Sequence, residues 1–148
     1  MQTTIQVFYD GPYEPHHGSE EAAGYDLRAW LPNPDEPIHI KRGSTRCIPT
    51  GLKFILPVGT VGFINPKSGL AKKKGISIVN APGTLDSDFR GEVEIIIETL
   101  YQDLVIEHGM KIAQLVVVPH YYVDWKKETI KGSETKRGSN GFGSTGVY

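Results

Sequence analysis

The side chains best able to do chemistry gather in a few short polar runs set among apolar ones. The run RGSNGFGSTG, Arg137 to Gly146, combines an arginine, an aromatic ring and a hydroxyl pair on a glycine-rich backbone. Arginine offers a bidentate fork to a phosphate. Glycines let a backbone wrap an anion and aim amides at it, and Phe142 presents a flat stacking face beside Gly143, Ser144 and Thr145. A plain disordered terminus is the competing reading; the combination predicts a lid that closes over a nucleotide. Gly138 to Thr145 comes close to a P-loop, but Ser144 stands where the lysine must be, so a P-loop is excluded.

A second run, NAPGTLDSDFRG, carries Asp86 and Asp88, which share a strand face if the segment is extended. A carboxylate within reach of a water can polarise it and take its proton. Gln114 stands inside an apolar stretch with Ile112, Leu115, Val116 and Val117, and a buried glutamine needs hydrogen-bond partners. Ser68 and Gly69 open a short helical pattern, where free amides and the positive end of the dipole favour an anion; a simple cap is the equal alternative. Asp26, taken alone, reads as a turn or strand-end residue.

The elements that must position these groups are mostly strands. Thr4 to Tyr9 alternates, Thr60 to Asn65 reads as a strand, and Glu92 to Leu100 puts Val93, Ile95, Ile97 and Thr99 on one face. Ile112 to Tyr122 has the same character, and turns are expected at Asn33-Pro34-Asp35, Pro57-Val58-Gly59 and Ala81-Pro82-Gly83. The stretch Gly75 to Gly91 reads as a β-hairpin turning at Pro82-Gly83. Only Ser68 to Lys74 invites a helix, with Ser68 as cap and Gly75 as stop. Many short strands with frequent punctuation predict an all-β sandwich or barrel.

Composition bounds the rest. The chain has 148 residues, room for one packed domain at 1–131 and a Gly- and Ser-rich tail at 132–148 that cannot build its own core. The net charge of −1 argues against a nucleic-acid partner. The local basic clusters, Lys72 to Lys74 and Lys126 to Arg137, read either as solvated faces or as suited to a small polyanion. No apolar run approaches the roughly 20 residues that span a bilayer, and the opening MQTTIQVFYDG has no signal-like pattern. With Cys47 alone and read as a small buried hydrophobe, the expected setting is the cytoplasm, with no membrane partner.

Five segments then fall into one register. AAGYDLRA (Ala22 to Ala29), PKSGLA (Pro66 to Ala71), NAPGTLDSDFRGEV (Asn80 to Val93), GMKIAQLVV (Gly109 to Val117) and the tail run resemble, in order and spacing, the five motifs of the trimeric dUTPase family. The resemblance covers nearly the whole chain. It implies a jelly-roll-like β-barrel with one short helix and a flexible C-terminal tail, in a homotrimer whose sites are each built from three chains. The implied reaction splits dUTP into dUMP and pyrophosphate by water attack at the α-phosphorus with Mg2+, clearing dUTP and supplying dUMP for dTMP synthesis.

The resemblance also implies roles. Asp86 would orient the attacking water as general base, and Gln114 would contact the phosphates or that water. Asp26 would hold Mg2+ through coordinated water, in keeping with the ion's reluctance to shed its hydration shell. Lys67, Ser68 and Gly69 would meet the phosphates. Asn80 would read the uracil edge with backbone groups of Gly83, Thr84 and Leu85, and Phe89 would exclude a 2′-hydroxyl. Arg137, Phe142, Gly143, Ser144 and Thr145 would close over the nucleotide. Asp88 reads as structural, and Arg90 as a structural or intersubunit ion-pair partner, with phosphate contact the alternative.

This chain departs from the family pattern at Lys67, where arginine is usual, at Phe89 for tyrosine, and at Met110-Lys111 for Asp-Arg. Lysine keeps the charge without the fork, phenylalanine keeps the ring, and the Met110-Lys111 pair is expected to alter tail or subunit contacts. Two rivals remain: a dCTP deaminase on the same fold, and a nucleotide-gated binding module with little turnover.

Overall fold

Proline and glycine cut the chain before most strands grow long, so the sheets are assembled from short segments far apart in sequence. The computed structural model describes residues 3–146, so Met1, Gln2, Val147 and Tyr148, the ends of the expected N-terminal and tail segments, lie outside the described residues. The first strands are β1 (Phe8–Asp10), β2 (His16–His17), β3 (Tyr25–Arg28), β4 (Ile38–Ile40), β5 (Thr45–Pro49) and β6 (Lys53–Ile55). Then come β7 (Thr60–Asn65), the helix α1 (Ser68–Lys74), β8 (Ile76–Ile78), β9 (Gly83–Leu85), β10 (Glu94–Thr99), β11 (Leu104–Ile106) and β12 (Lys111–Pro119).

All pairings are antiparallel. The largest sheet runs β2-β3-β12-β7-β9, a second runs β5-β10-β8, and β1-β6 and β4-β11 form two-stranded ribbons. The fold is all-β and jelly-roll-like, as expected. Its core lies between the sheets: Leu27, Ile112, Ala113 and Leu115 from the large sheet meet Ile48, Ile95 and Ile97 from the second. The face of β10 read from alternation is the buried one, and Thr99 within it satisfies its hydroxyl on the Gln102 carbonyl at 2.6 Å.

Three local expectations change. The first strand forms only at Phe8–Asp10, where β6 supplies a partner; the apolar alternation from Thr4 finds none. In α1, Lys67 takes the extended N-cap position without a side-chain cap, so Ser68 is the first helical residue rather than the cap. Gly75 stops the helix as read, at φ 65° and donating to the Ala71 and Leu70 carbonyls, with the Tyr101 ring filling the space a Cβ would need. The expected hairpin is not a paired one. β8 pairs with β10 and β9 with β7, so the turn at residues 79–82 passes from one sheet to the other.

Beyond β12 the chain leaves the body. Every described residue from Tyr121 to Gly146 is exposed, among them Tyr121, Trp125 and Ile130 at 94%, 88% and 86%. No helix among the described residues is long and apolar enough to cross a membrane.

Candidate active site

The segment passing between the sheets builds a cavity of about 300 Å³. Asn80, Gly83, Thr84, Leu85, Asp86 and Phe89 all line it, joined by Ile64 of β7. Its far wall comes from the second sheet, through Cys47, Glu94 and Ile96. Gly83 lets the backbone come close: a Cβ there would sit 3.2 Å from the Asn80 amide nitrogen and 3.4 Å from the Ile64 Cβ. Asp86 follows β9, exposed to solvent, and the chain turns at once, the Phe89 amide donating to the Asp86 carbonyl at 3.2 Å. Arg90 staples that turn by donating from one guanidinium nitrogen to the Ser87 and Phe89 carbonyls at 2.7 and 2.9 Å.

The turn separates the two carboxylates. Asp88 sits within it, exposed and outside the cavity lining, so Asp86 and Asp88 do not share a strand face. The Phe89 ring lies over Gly91, where a Cβ would meet the Phe89 Cζ at 2.6 Å. Cys47, read as a buried hydrophobe, is exposed on β5 and faces the cavity opposite Asp86.

A second group forms on the large sheet. Asp26, Gln114 and Asn65 stand directly opposite one another across β3, β12 and β7. Gln114 is half-buried and donates from Nε2 to the Pro66 carbonyl at 2.9 Å, ahead of α1. It packs against Gly24, where an added Cβ would lie 2.2 Å from its Oε1. Asp26 is buried and engages two ammonium groups: Lys67 at Oδ1, and Lys111 at Oδ2 at 2.7 Å. Burial pushes the Asp26 carboxyl up, but hydrogen bonds from Lys111 and Lys67 and their charges outweigh it and hold the group below its ordinary range. Ser68 and Gly69 follow Lys67 at the exposed start of α1.

The tail residues join neither group. Arg137 donates to the Asn140 carbonyl at 3.0 Å, and Phe142, at φ 44°, stands fully in solvent with Gly143, Ser144 and Thr145 exposed beside it. The body therefore presents a concave pocket with an exposed carboxylate, a separate cationic row, and an aromatic, arginine-bearing tail without intrachain seating among the described residues.

The family profile of dUTPase matches residues 13–146. The chain belongs to the dUTPase family. Across 136 residues it is 47% identical to the deoxyuridine 5′-triphosphate nucleotidohydrolase of Rickettsia bellii, covering 90% of this chain and 87% of that protein. A point mutant of the Staphylococcus bacteriophage 80alpha dUTPase, solved with dUpNHpp, superposes at TM-score 0.83 with 25% identity over 97% of this chain and 100% of that one. The dUTPase of S. aureus phage phi11, described with a structural Mg(II) ion, shares the fold at TM-score 0.73 and 20% identity over 90% and 99% of the two chains. As a dUTPase family member the chain is a hydrolase.

For this dUTPase family member, sequence reasoning passed over several supporting residues. Gly24 and Gly91 seat Gln114 and Phe89 by lacking a side chain, which a single sequence signals only as glycines inside motifs. Lys111 was expected at tail or subunit contacts; it instead reaches Asp26 of its own chain.

Proposed function

We propose that this chain hydrolyses dUTP to dUMP and pyrophosphate at sites shared between three copies of itself. The observation that carries the reading is the cavity that gathers Asn80, Gly83, Thr84 and Phe89 with the exposed Asp86 carboxylate, facing Glu92 and Glu94 of the other wall. Asn80 offers both a donor and an acceptor, and with the backbone of Gly83, Thr84 and Leu85 it would pair the uracil edge. The close Gly83 backbone leaves little space for a larger base. Phe89, its ring end packed on Gly91, would lie under the deoxyribose and crowd a 2′-hydroxyl. Asp86, exposed at the cavity, would align a water and take its proton as the water attacks the α-phosphorus.

The phosphates would meet Lys67, Ser68, Gly69 and Gln114 on the large sheet, supplied by a different copy from the one that holds the base. Separation of the two groups on one chain supports this sharing, as do the exposed Tyr121, Tyr122, Val123, Trp125 and Ile130 of the arm beyond β12. The tail at 132–148, the part we divide from the barrel domain at 1–131, would then close from a third copy. In it Arg137, Gly143, Ser144 and Thr145 grip the terminal phosphate while Phe142 stacks on the base.

Magnesium enters this reading with the substrate. Among the described residues of one copy no three His, Cys, Asp or Glu groups converge. Asp26 fits only an outer role, since each oxygen already accepts from a lysine and keeps one lone pair for a metal-bound water. Bound there with the triphosphate, Mg2+ would neutralise charge on the leaving pyrophosphate. The reaction belongs, on this reading, to dUTP clearance and dUMP supply in the cytoplasm.

The test is pyrophosphate release from dUTP in magnesium, with dCTP, dTTP and UTP as controls. Release from dUTP alone is expected, with kcat falling roughly 10²–10⁴-fold in Asp86→Asn. Ammonia from dCTP, or tight dUTP binding with no release, would overturn the reading.

A further inference from the structure

Lys111 reaches Asp26 only because β12 is irregular. The register pairs Lys111 with Arg28 and then Ala113 with Leu27, so β12 carries one extra residue at this point. Strict alternation backward from Gln114 would send Ala113 to the core, Ile112 to the site face and Lys111 to the core. Instead Ile112 and Ala113 are both fully buried, and Lys111 emerges on the face of Asp26. A β-bulge does this, re-aiming a side chain that the pleat would otherwise invert.

The result is a buried carboxylate gripped from two sides. Lys111 holds Oδ2 from β12, and Lys67 is held at Oδ1 from the loop ahead of α1. Lysine is a long, flexible point charge, and fixing its head costs rotamer entropy that a forked arginine loses less of per bond. A carboxylate already immobilised by a second cation lowers that cost at Lys67. Two ammoniums against one carboxylate also leave a surplus of one positive charge facing the site.

We propose that Lys111 is a positioning residue for the phosphate site: through Asp26 it fixes the Lys67 ammonium where the substrate's phosphates arrive. The proposal rests on the dUTP reading above. It assigns a function to two of this chain's departures together, since a lysine at 67 needs an anchor that a forked side chain would supply for itself.

Calorimetric titration with α,β-imido-dUTP, in magnesium and separately in EDTA, tests it. Lys111→Met should weaken binding about tenfold in both conditions, whereas inhibition by deoxyuridine, which has no phosphate, should not change. Lys111→Arg should restore most of the affinity. Because Lys111 acts largely through Lys67, the double variant Lys67→Met/Lys111→Met should lose clearly less than the sum of the two single losses. Unchanged affinity in a folded Lys111→Met chain, or strictly additive losses in the double variant, would overturn the positioning role. Failure of the unaltered chain to bind α,β-imido-dUTP would instead remove the reading beneath the proposal, and the proposal with it.

Discussion

At Gly24 one methyl group decides where a neighbouring side chain can stand. The Cβ of an alanine would fall 2.2 Å from Gln114 Oε1, the free end of a side chain that can swing away. Gly24→Ala should therefore cost little stability, about 1 kcal/mol for the lost bond to the Pro66 carbonyl and no more than about 2–4 °C in Tm. Activity should fall at least tenfold because Gln114 leaves its place; an unaltered kcat/KM would remove Gln114 from the chemistry. Gly91→Ala should lift the Phe89 ring by the same logic, raising turnover of UTP relative to dUTP. Asp26 adds a pH dependence. Its carboxyl is held below the ordinary value of 3.8, so the stability it lends is complete above that pH and is lost as pH falls through the depressed value. In a Tm series taken downward from pH 5, Asp26→Asn should flatten the fall seen below about pH 4.

Elements with a local cause were legible, and those with a remote cause were not. β7 matches its reading end to end because its signals are local: the Pro-Val-Gly turn just ahead of it and the β-prone Val61, Phe63 and Ile64 inside it. The buried face of β10 was equally plain. The strands β8 and β9 were also visible, but pairing is chosen by distant partners, and a turn signal between them says nothing of that choice. The same holds for Thr4 to Val7, apolar by alternation yet unpaired. In the site, the motif residues were legible as types; the bulge that brings Lys111 to Asp26 was not, because a period-2 reading sends Lys111 to the wrong face. At α1, Gly75→Ala should be costly. It must hold a left-handed backbone, roughly 1–2 kcal/mol, and its Cβ would lie 2.4 Å from the Tyr101 ring. A Tm loss of at least about 4 °C is expected in a thermal melt.

Taken whole, the molecule is a packed body with an exposed aromatic arm and a polar tail. Burying Tyr121, Tyr122 and Trp125 requires a second surface, which on the shared-site reading another copy would supply. If three copies share their sites, the full chain should sediment as a trimer in analytical ultracentrifugation and lose that mass when shortened after Pro119. Shortened after Lys131, it should keep that mass while most dUTP turnover disappears. Full activity in the second form would deny the tail its closing role.

Because the segment at residues 79–82 changes sheets, the cavity has one wall on each of them. Anything seated there adds a tie between two layers that adhere mainly through the core. At a hundredfold excess over its dissociation constant, dUMP would add about 2.7 kcal/mol to the work of parting those layers. Amides of β8 and β9 that exchange with deuterium through such an opening should slow together, about a hundredfold, although they share no ladder. On this account the product works as a latch, and the enzyme is hardest to pry open while occupied.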